Sequence, residues 1–356
     1  MKILIYLSHP AQYHFYKPIV FRLKMKNHSI KYFIRTKDVL EQLLINNKEK
    51  YINILPEMRK STKYSIFISF IKRIIIFSYY INQYKPNLML GSDASISILG
   101  KMLSIPVFSI LEDDAEIIPY LAKLSFPFTS LIIAPSSCDC GSWNSKKISY
   151  EGYMKLSYLH PKIFKIKKMR RRYILIRLSA LDAHHDFGIK GINEDLLEKI
   201  VQYFNKKYDV KIISEKKIYG HLKKNIIKIN PNNIHKLLIK CRLLISDSQS
   251  MTMEAAMLGI PSIRISDFVR KIGVLEELEY KYHLTYGIKT NETEKIFKIL
   301  NYLFSYDDLN YEFSRRRNQM LKDKINVSEF FSWLIDQFPK SIYILNKNPN
   351  YQLKYR

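Results

Sequence analysis

The chain has few cysteines, only three in 356 residues, and this scarcity excludes two kinds of protein. Cys138, Cys140 and Cys241 cannot build a disulfide framework, and no histidine stands at the spacing of a zinc site beside them. We therefore expect neither a small domain stabilised by disulfides nor a structural zinc protein.

Long apolar runs are also missing. No stretch of about 18 uncharged apolar residues occurs, so the sequence contains no candidate transmembrane helix. The apolar run in residues 1–7 is too short for a signal peptide and is typical of a first β-strand. We expect a cytoplasmic protein.

Acidic residues are outnumbered, with 32 Asp and Glu against 58 Lys and Arg, a formal net charge of +26. One interpretation is a partner rich in negative charge, such as anionic lipid headgroups or a diphosphate. The other is codon bias, because Lys, Ile, Asn and Tyr are all abundant. Nucleic acid is not expected as a partner, since no helix-turn-helix, zinc or aromatic RNA-binding signature accompanies the charge.

The order of predicted elements indicates an α/β protein. Short apolar strands alternate with helical patterns, which is typical of parallel α/β units. The predicted strands lie near residues 2–7, 29–34, 52–55, 87–91, 105–110, 131–134, 172–178, 210–214, 226–229, 243–247, 262–265 and 284–288. The predicted helices lie near residues 12–26, 37–46, 63–83, 94–103, 194–206, 233–241, 251–258, 274–282, 291–304, 307–322 and 327–338.

The length suits two domains. Residues 162–172 carry seven basic residues in eleven, and we interpret them as an exposed linker. The sequence thus predicts an N-terminal Rossmann-like domain over 1–165, a C-terminal Rossmann-like domain over 166–340 and a tail over 341–356. Ligands of open α/β sheets bind beyond the carboxyl ends of the strands, so both domains are expected to present loops to a central cleft.

Residues 65–84 form an apolar stretch with Lys72 and Arg73 at its centre. One interpretation is a helix that lies on an anionic membrane surface, at the inner face of the cell membrane. The other is a helix that covers the N-terminal sheet.

The segment 243–264 is a hydrophobic strand, a polar turn and a helix. Ser250 or Thr252 can stand near the helix N-cap, where free N–H groups and the helix dipole favour an anion such as a diphosphate. Glu254 lies one turn into the helix, where a carboxylate could accept both hydroxyls of a ribose. Alternatively, Glu254 completes a capping box.

Three further groups are candidates for chemistry. Crowded carboxylates in residues 112–116 raise one another's pKa, which favours proton transfer, unless this segment is a solvated loop. Imidazoles beside carboxylates in residues 182–186 could bind or protonate a leaving phosphate. His14 is either a base or a packed histidine, and Arg177 is either a diphosphate ligand or an exposed strand residue.

The sequence Asp247-Ser248-Gln249-Ser250, followed after three residues by Glu254-Ala255, resembles the donor-binding segment of GT-B glycosyltransferases and of non-hydrolysing UDP-GlcNAc 2-epimerases. The pattern there is close to Asp-Ser-Gly-Gly, two residues, Glu-Ala. In this chain Gln249 and Ser250 stand where those enzymes have glycines.

Other loops match in the same order. The loop after the first strand begins at His9-Pro10-Ala11, and Gly91-Ser92-Asp93 resembles the Gly-Asp-Thr of the epimerases. Together with the Tyr153–Pro161 run, the Asp182–Asp186 loop and the Met251-Thr-x-Glu-Ala-Ala helix, these motifs are similar to an uncharacterised archaeal and bacterial family of the GT-B superfamily.

The resemblance implies a GT-B fold and a metal-independent glycosyltransferase of polysaccharide biosynthesis. It would move a sugar from a nucleoside diphosphate to a saccharide or lipid-linked acceptor, with no cofactor. The alternatives are a UDP-sugar 2-epimerase and a non-catalytic sugar-nucleotide-binding protein. The implied donor-binding residues are Arg177, His184, His185, Asp247, Ser248, Ser250, Met251, Thr252 and Glu254. The candidate catalytic residues are His14, Asp93, Glu112, Asp114 and Glu116, and His9 and Gln12 are placed on the acceptor side.

Overall fold

The structure is a computed structural model that describes residues 1–36, 39–55, 63–166, 171–179, 191–204 and 207–356. The chain forms two compact units. One combines Met1–Tyr158 with Ile325–Arg356, and the other is the continuous segment Leu159–Lys324. The second unit is therefore inserted into the first.

The first unit is built on seven strands. In chain order its elements are β1 (Lys2–Leu7), α1 (Pro10–Met25), β2 (Ser29–Arg35), α2 (Leu40–Asn46), β3 (Tyr51–Leu55), α3 (Lys63–Tyr84), β4 (Leu88–Leu90), α4 (Ala94–Met102), β5 (Val107–Ile110), α5 (Pro119–Ser125), β6 (Leu131–Pro135), β7 (Lys147–Tyr150) and the short α6 (Leu156–Leu159). The strands pair in the order β3-β2-β1-β4-β5-β6-β7, and every pairing is parallel. Parallel strands buried on both faces explain the continuous apolar runs of the sequence.

The second unit contains a five-stranded parallel sheet. Its elements are β8 (Tyr173–Leu178), α7 (Glu194–Phe204), β9 (Asp209–Ser214), α8 (Ile234–Leu238), β10 (Cys241–Ser246), α9 (Gln249–Met257), β11 (Ser262–Ile265), α10 (Gly273–Glu276), β12 (Tyr286–Ile288), α11 (Lys295–Phe304) and α12 (Leu309–Asp323). The strand order is β12-β11-β10-β8-β9. The strand predicted at 226–229 does not form, because a 3-10 helix at Gly220–Asn225 leaves Ile226 only an isolated bridge to Ile212.

The chain then returns to the first unit through α13 (Val327–Asp336) and α14 (Lys340–Lys347). The Phe331 ring lies 5.0 Å from that of Phe15 on α1 and 5.1 Å from that of Tyr150. The N–H of Ile325 donates to the carbonyl of Glu151 at 2.8 Å. Residues 325–340 thus pack with the first unit, whereas the sequence predicts them as the end of the C-terminal domain. Residues 341–356 also belong to the first unit and do not form a separate tail.

Helix α3 covers the first sheet with one side. Phe77 and Ile81 are buried in a cluster with Tyr6 and other residues of the sheet. The opposite side exposes Ile71, Ile75 and Tyr79, spaced four residues apart. The sheet-covering interpretation therefore describes one side of α3. Among the described residues, no helix combines the length and the apolar character that crossing a bilayer requires.

A glycine ends β4 for a steric reason. Gly91 has φ of 144°, and a Cβ there would lie 2.8 Å from the carbonyl oxygen of Tyr6 on the neighbouring β1. Because only glycine tolerates both conditions, the chain can turn sharply at this carboxyl end of the sheet.

Candidate functional site

The turn between β10 and α9 has the geometry of an anion site. Ser248 caps the helix, and its Oγ accepts the N–H of Met251 at 3.4 Å. The N–H groups of Gln249 and Ser250 begin the helix and have no acceptor within it, and the positive end of the helix dipole lies here. The cap is thus Ser248, two residues before the earlier of the two predicted positions.

The remaining hydroxyls of this turn differ in what they can reach. Ser250 is half-buried in the first turn of α9. Thr252 is fully buried, and its hydroxyl donates to the carbonyl of Ser248 at 2.8 Å. Met251 is buried as well, and its N–H belongs to the cap. Of the predicted donor ligands in the helix, Ser250 is therefore better placed than Thr252 to meet a phosphate.

Gln249 stands where the pattern that this segment resembles has a glycine, and its side chain is held by two contacts. Its Oε1 accepts from Nη1 of Arg264 at 3.0 Å, and its Nε2 donates to Oγ of Ser266 at 2.9 Å. These bonds tie the amide to β11 and the residue after it. The side chain of Gln249 is accommodated because Arg264 and Ser266 form hydrogen bonds with its amide group.

Arg264 is the largest fully buried side chain of the described residues. Its Nη2 lies 3.6 Å from Oε1 of Glu276 and 3.8 Å from Oε2 of Glu279. Burial lowers the pKa of Arg264 and raises that of Glu279. Arg264 was not predicted as a site residue, although a charge inside the short apolar strand Ser262–Ile265 is the signal for it.

Glu254 is buried, with 6% of its surface exposed. Its Oε1 lies 3.3 Å from Nε2 of His235 on α8. The helix is capped by Ser248 alone, so Glu254 does not complete a capping box. His235 was not singled out from the sequence, and no local pattern marks it.

Two predicted donor ligands instead hold strand ends together. Asp247 is buried, which raises its pKa, and its Oδ1 accepts the N–H of Ser179 at 2.7 Å. Arg177 donates to the carbonyl of Leu178 at 3.0 Å and forms an ion pair with Glu215. The charge of Arg177 is thus already balanced. The predicted ligands His184 and His185 lie outside the described residues and remain predictions.

In the first unit, the two acceptor-side candidates cap α1. Nδ1 of His9 accepts the N–H of Ala11 at 3.2 Å. Oε1 of Gln12 accepts the N–H groups of Ser8 at 2.7 Å and His9 at 3.2 Å. This capping box uses the polar atoms that the sequence analysis assigned to an acceptor.

His14 and Asp93 also have local partners. The half-buried His14 ring lies 5.4 Å from the ring of Tyr158. Asp93 caps α4, where it accepts the N–H of Ser95 at 2.8 Å, and it lies 3.8 Å from Nη1 of the buried Arg73. Asp93 therefore has a structural role as the N-cap of α4.

The acids of residues 112–116 do not form one cluster of equivalent groups. Glu112 is buried, forms an ion pair with Lys155 and accepts the N–H of Met154 at 3.0 Å. Asp114 is buried and accepts the N–H of Asp139 at 2.6 Å. Glu116 is exposed. Of the three predicted catalytic acids in this segment, Glu112 and Asp114 thus anchor the loop, and Glu116 faces solvent.

In the part of the chain that the structure describes, no group of three or more His, Cys, Asp or Glu side chains is arranged to hold a metal ion.

Solved structures share this fold at low sequence identity. An S. aureus MnaA–UDP complex is 13% identical over 96% of this chain and 98% of its own, with a TM-score of 0.70. UDP-GlcNAc 2-epimerase from Neisseria meningitidis bound to UDP-GlcNAc is 16% identical over 96% and 100%, with a TM-score of 0.64. The glycotransferase of kitacinnamycin is 12% identical over 94% and 98%, with a TM-score of 0.62.

These likenesses confirm the predicted α/β fold of the GT-B type, with its two parallel sheets. Nothing among curated protein sequences matches the chain. A family model described as "Protein of unknown function (DUF354)" matches residues 1–325. The expected membership of an uncharacterised family with this fold is thereby confirmed, and the chain belongs to the DUF354 family.

Proposed function

We propose that this protein is a metal-independent glycosyltransferase that takes a sugar from a nucleoside-diphosphate donor. The observation that carries the proposal is the start of α9, where the capped turn at Ser248 and the buried Glu254 lie within one helix. In a nucleoside diphosphate the diphosphate and the ribose are joined at a fixed spacing. The start of α9 would bind the diphosphate, and the carboxylate of Glu254 would bind the ribose.

The diphosphate is assigned to the first turn of α9. Departure of the sugar leaves negative charge on the diphosphate, and the N–H groups of Gln249 and Ser250 can stabilise that charge by donating hydrogen bonds, without a metal. The helix dipole contributes about half a positive charge at the same end. Arg177 contributes less than the sequence suggests, because Glu215 already balances it.

The acceptor hydroxyl needs a base, and Glu116 is the first candidate. It is exposed at the carboxyl end of the first sheet, whereas Glu112 and Asp114 are bound to Lys155 and to the Asp139 backbone. His14 is the second candidate. A lipid-linked saccharide as acceptor, met at the inner face of the cell membrane, would use the basic surface of the protein.

A 2-epimerase is the second candidate function, favoured by the likeness to the N. meningitidis UDP-GlcNAc 2-epimerase over 96% of this chain. Epimerisation requires carboxylates that exchange protons with the sugar ring and assist elimination of the diphosphate. Asp93 and Glu112 suit those roles by position in the chain. The transferase is preferred because Asp93 caps α4 beside Arg73 and Glu112 is paired with Lys155.

The fate of the sugar distinguishes these functions. The protein is incubated in D₂O with a panel of UDP-, GDP- and CDP-sugars, alone and with lipid-linked or free saccharide acceptors. A transferase releases nucleoside diphosphate mainly when an acceptor is present and leaves the unreacted donor undeuterated. Deuterium in donor incubated alone would replace this proposal with the epimerase, and binding without either outcome would indicate a non-catalytic protein.

A further inference from the structure

Three arginines of the second unit have no acidic partner. Arg171 lies just before β8, Arg242 on β10 and Arg317 on α12, and each side chain is half-buried. Among the residues that the structure describes, none of the three forms an ion pair, whereas Arg264 and Arg316 of the same unit each face a carboxylate. The strands β8 and β10 are parallel neighbours, so Arg171 and Arg242 stand at the same, amino end of the sheet.

Each of the three guanidinium groups has a buried nitrogen that meets no acceptor within the described segments. These atoms are Nη1 of Arg171, Nε of Arg242 and Nη2 of Arg317. The contacts that two of the side chains do make are of other kinds: Arg242 lies over the Tyr208 ring at 5.4 Å, and Nε of Arg317 donates to the carbonyl of Met257. A buried donor without an acceptor is destabilising, and an oxyanion at these groups would remove that cost.

The positive charges of the three arginines also act on one another. Burial lowers the pKa of Arg317 to about 10, and the charge of Arg171 contributes to the decrease. Burial lowers the pKa of Arg171 as well, and Arg242 contributes there. Asp308, the cap of α12, offsets part of this effect on Arg171, but no ion pair joins these two described side chains. Residues 167–170 contain no Asp or Glu that could balance the charge.

We propose that Arg171 and Arg317 form a binding site for a phosphoryl group, with Arg242 adding positive charge, at the amino ends of β8 and β10. A phosphate carries several acceptor oxygens and about two negative charges, and guanidinium groups without a carboxylate partner bind such a group well. The ligand is inorganic phosphate or the phosphate of a small ester, since both present the same oxygens. The start of α9 follows the opposite end of β10, so this inference does not rest on the proposed function.

Calorimetry on the full-length protein measures the affinity for inorganic phosphate and for glucose 1-phosphate, with chloride at matched ionic strength as the reference. Arg171→Gln and Arg317→Gln should each weaken the binding by at least about tenfold, because each removes a charge-assisted hydrogen bond. Arg172→Gln is the matched control, since it removes the same charge from an exposed neighbour, and it should change the affinity by less than about twofold. The tighter of the two ligands identifies the source of the phosphoryl group.

His160 is a local reporter of the site. Its pKa of about 4 is lowered by burial and by the charges of Lys162 and Arg317, so the imidazole is neutral at pH 7. Phosphate beside Arg317 should shift the imidazole NMR signals of His160 in the wild type and not in Arg171→Gln. Ser248→Ala, at the start of α9, should leave this shift unchanged, which separates the two anion sites.

The possible results either support the site or overturn it. Binding that is lost in Arg171→Gln and kept in Arg172→Gln, with a shift of the His160 signals, supports it. If Arg317→Gln does not fold because its contact with Met257 is lost, Arg171→Gln and the His160 signals decide. A phosphate effect no greater than that of chloride, equal weakening in Arg171→Gln and Arg172→Gln, or binding with unchanged His160 signals overturns the site. None of these outcomes bears on nucleotide binding, so the proposed function is tested separately.

Discussion

Nη1 of Arg264 donates a hydrogen bond of 3.0 Å to Oε1 of Gln249, the first residue of α9. The arginine is fully buried on β11, and its other amino group faces Glu276 and Glu279. The position of the helix start therefore depends on a charged network in the interior of the second unit. The network thus holds the side chain of Gln249 at the first position of the helix.

Arg264→Met should lower the free energy of unfolding by up to about 3 kcal/mol, because it leaves the half-buried Glu279 without the cation of Arg264. Urea denaturation measures the change. Lys298→Met, an exposed substitution in the same unit, is the matched control and should leave the midpoint unchanged. An Arg264→Met variant as stable as the wild type would show that the network does not support the helix.

Glu112 and Glu116 should respond differently to loss of charge. Lys155→Met should destabilise the protein by about 3–5 kcal/mol, because Glu112 remains buried without its partner.

Glu116→Gln should leave the stability unchanged and lower the rate of nucleoside diphosphate release by about 10²–10⁴, the contribution of a general base, with little change in donor affinity. Normal turnover in Glu116→Gln would exclude it as the base and make His14→Gln the next variant to measure.

The stability of the protein should fall as the pH drops from about 6.5 to about 4, and His160 should account for part of the loss. Burial lowers the pKa of His160 to about 4, with Lys162 and Arg317 adding to the effect. Its unfolded pKa is about 6.5, so the unfolded state binds a proton that the folded state does not. The stabilisation is present above pH 6.5 and is lost towards pH 4, by up to about 3 kcal/mol.

His160→Asn tests this assignment. The neutral imidazole accepts the N–H of Lys162 at Nδ1, 3.3 Å away, and the asparagine carbonyl is also an acceptor. Urea denaturation between pH 4 and 7 should therefore show a flatter profile for the variant than for the wild type. Parallel profiles would mean that other groups cause the acid sensitivity.

The neighbouring helices α3, α4 and α5 should bind anionic membranes through their exposed lysines. Lys72, Lys101 and Lys123 are exposed on these helices, which contain no acidic residue. Among the described residues, none of the three lysines forms an ion pair, unlike Lys24 on α1 and Lys26 directly after it, which pair with Glu49 and Asp336. Exposed apolar side chains of α3 lie on the same helix as Lys72.

Co-sedimentation with liposomes measures the binding. Wild type should bind phosphatidylserine-containing vesicles at low salt and not neutral ones, since surface attraction is screened within about 10 Å at 0.1 M salt. Changing all three lysines to Glu should weaken binding by at least about 100-fold, at about 1 kcal/mol for each lysine. The same change at Lys223, Lys224 and Lys298 is the control. Negligible binding of wild type to both vesicle types would leave codon bias as the reason for the charge.

Elements with strong local patterns could be predicted from the sequence. Buried strands such as β1 and β10 are apolar runs bounded by polar turns, and they form where expected. The strand β7 and the helix α5 have four and seven residues, too few for a periodic pattern, and neither was predicted. Helix α13 was predicted, but its assignment to the first unit depends on Phe331 meeting Phe15, a contact that no local pattern reveals.

The candidate site could likewise be predicted from the sequence only where it depends on a local pattern. A strand, a turn and a helix are adjacent in sequence, so the turn around Ser248 could be located from residue types alone. The partners of its charges are distant in sequence: Ser179 for Asp247 and His235 for Glu254. The same is true in the first unit, where Lys155 is the partner of Glu112. Charge pairing of this kind decides which carboxylates are available to a substrate, and it follows from tertiary structure.

The insertion of the second unit into the first has a consequence for synthesis on the ribosome. Leu159–Lys324 is continuous, so its whole sequence has been synthesised before the last 32 residues of the first unit, Ile325–Arg356, are made. Domains fold as units during translation. The N-terminal sheet must therefore wait, with the α1 surface that receives Phe331 uncovered, until α13 leaves the exit tunnel. The first unit, although its synthesis begins first, can be completed only after Ile325–Arg356 has been synthesised.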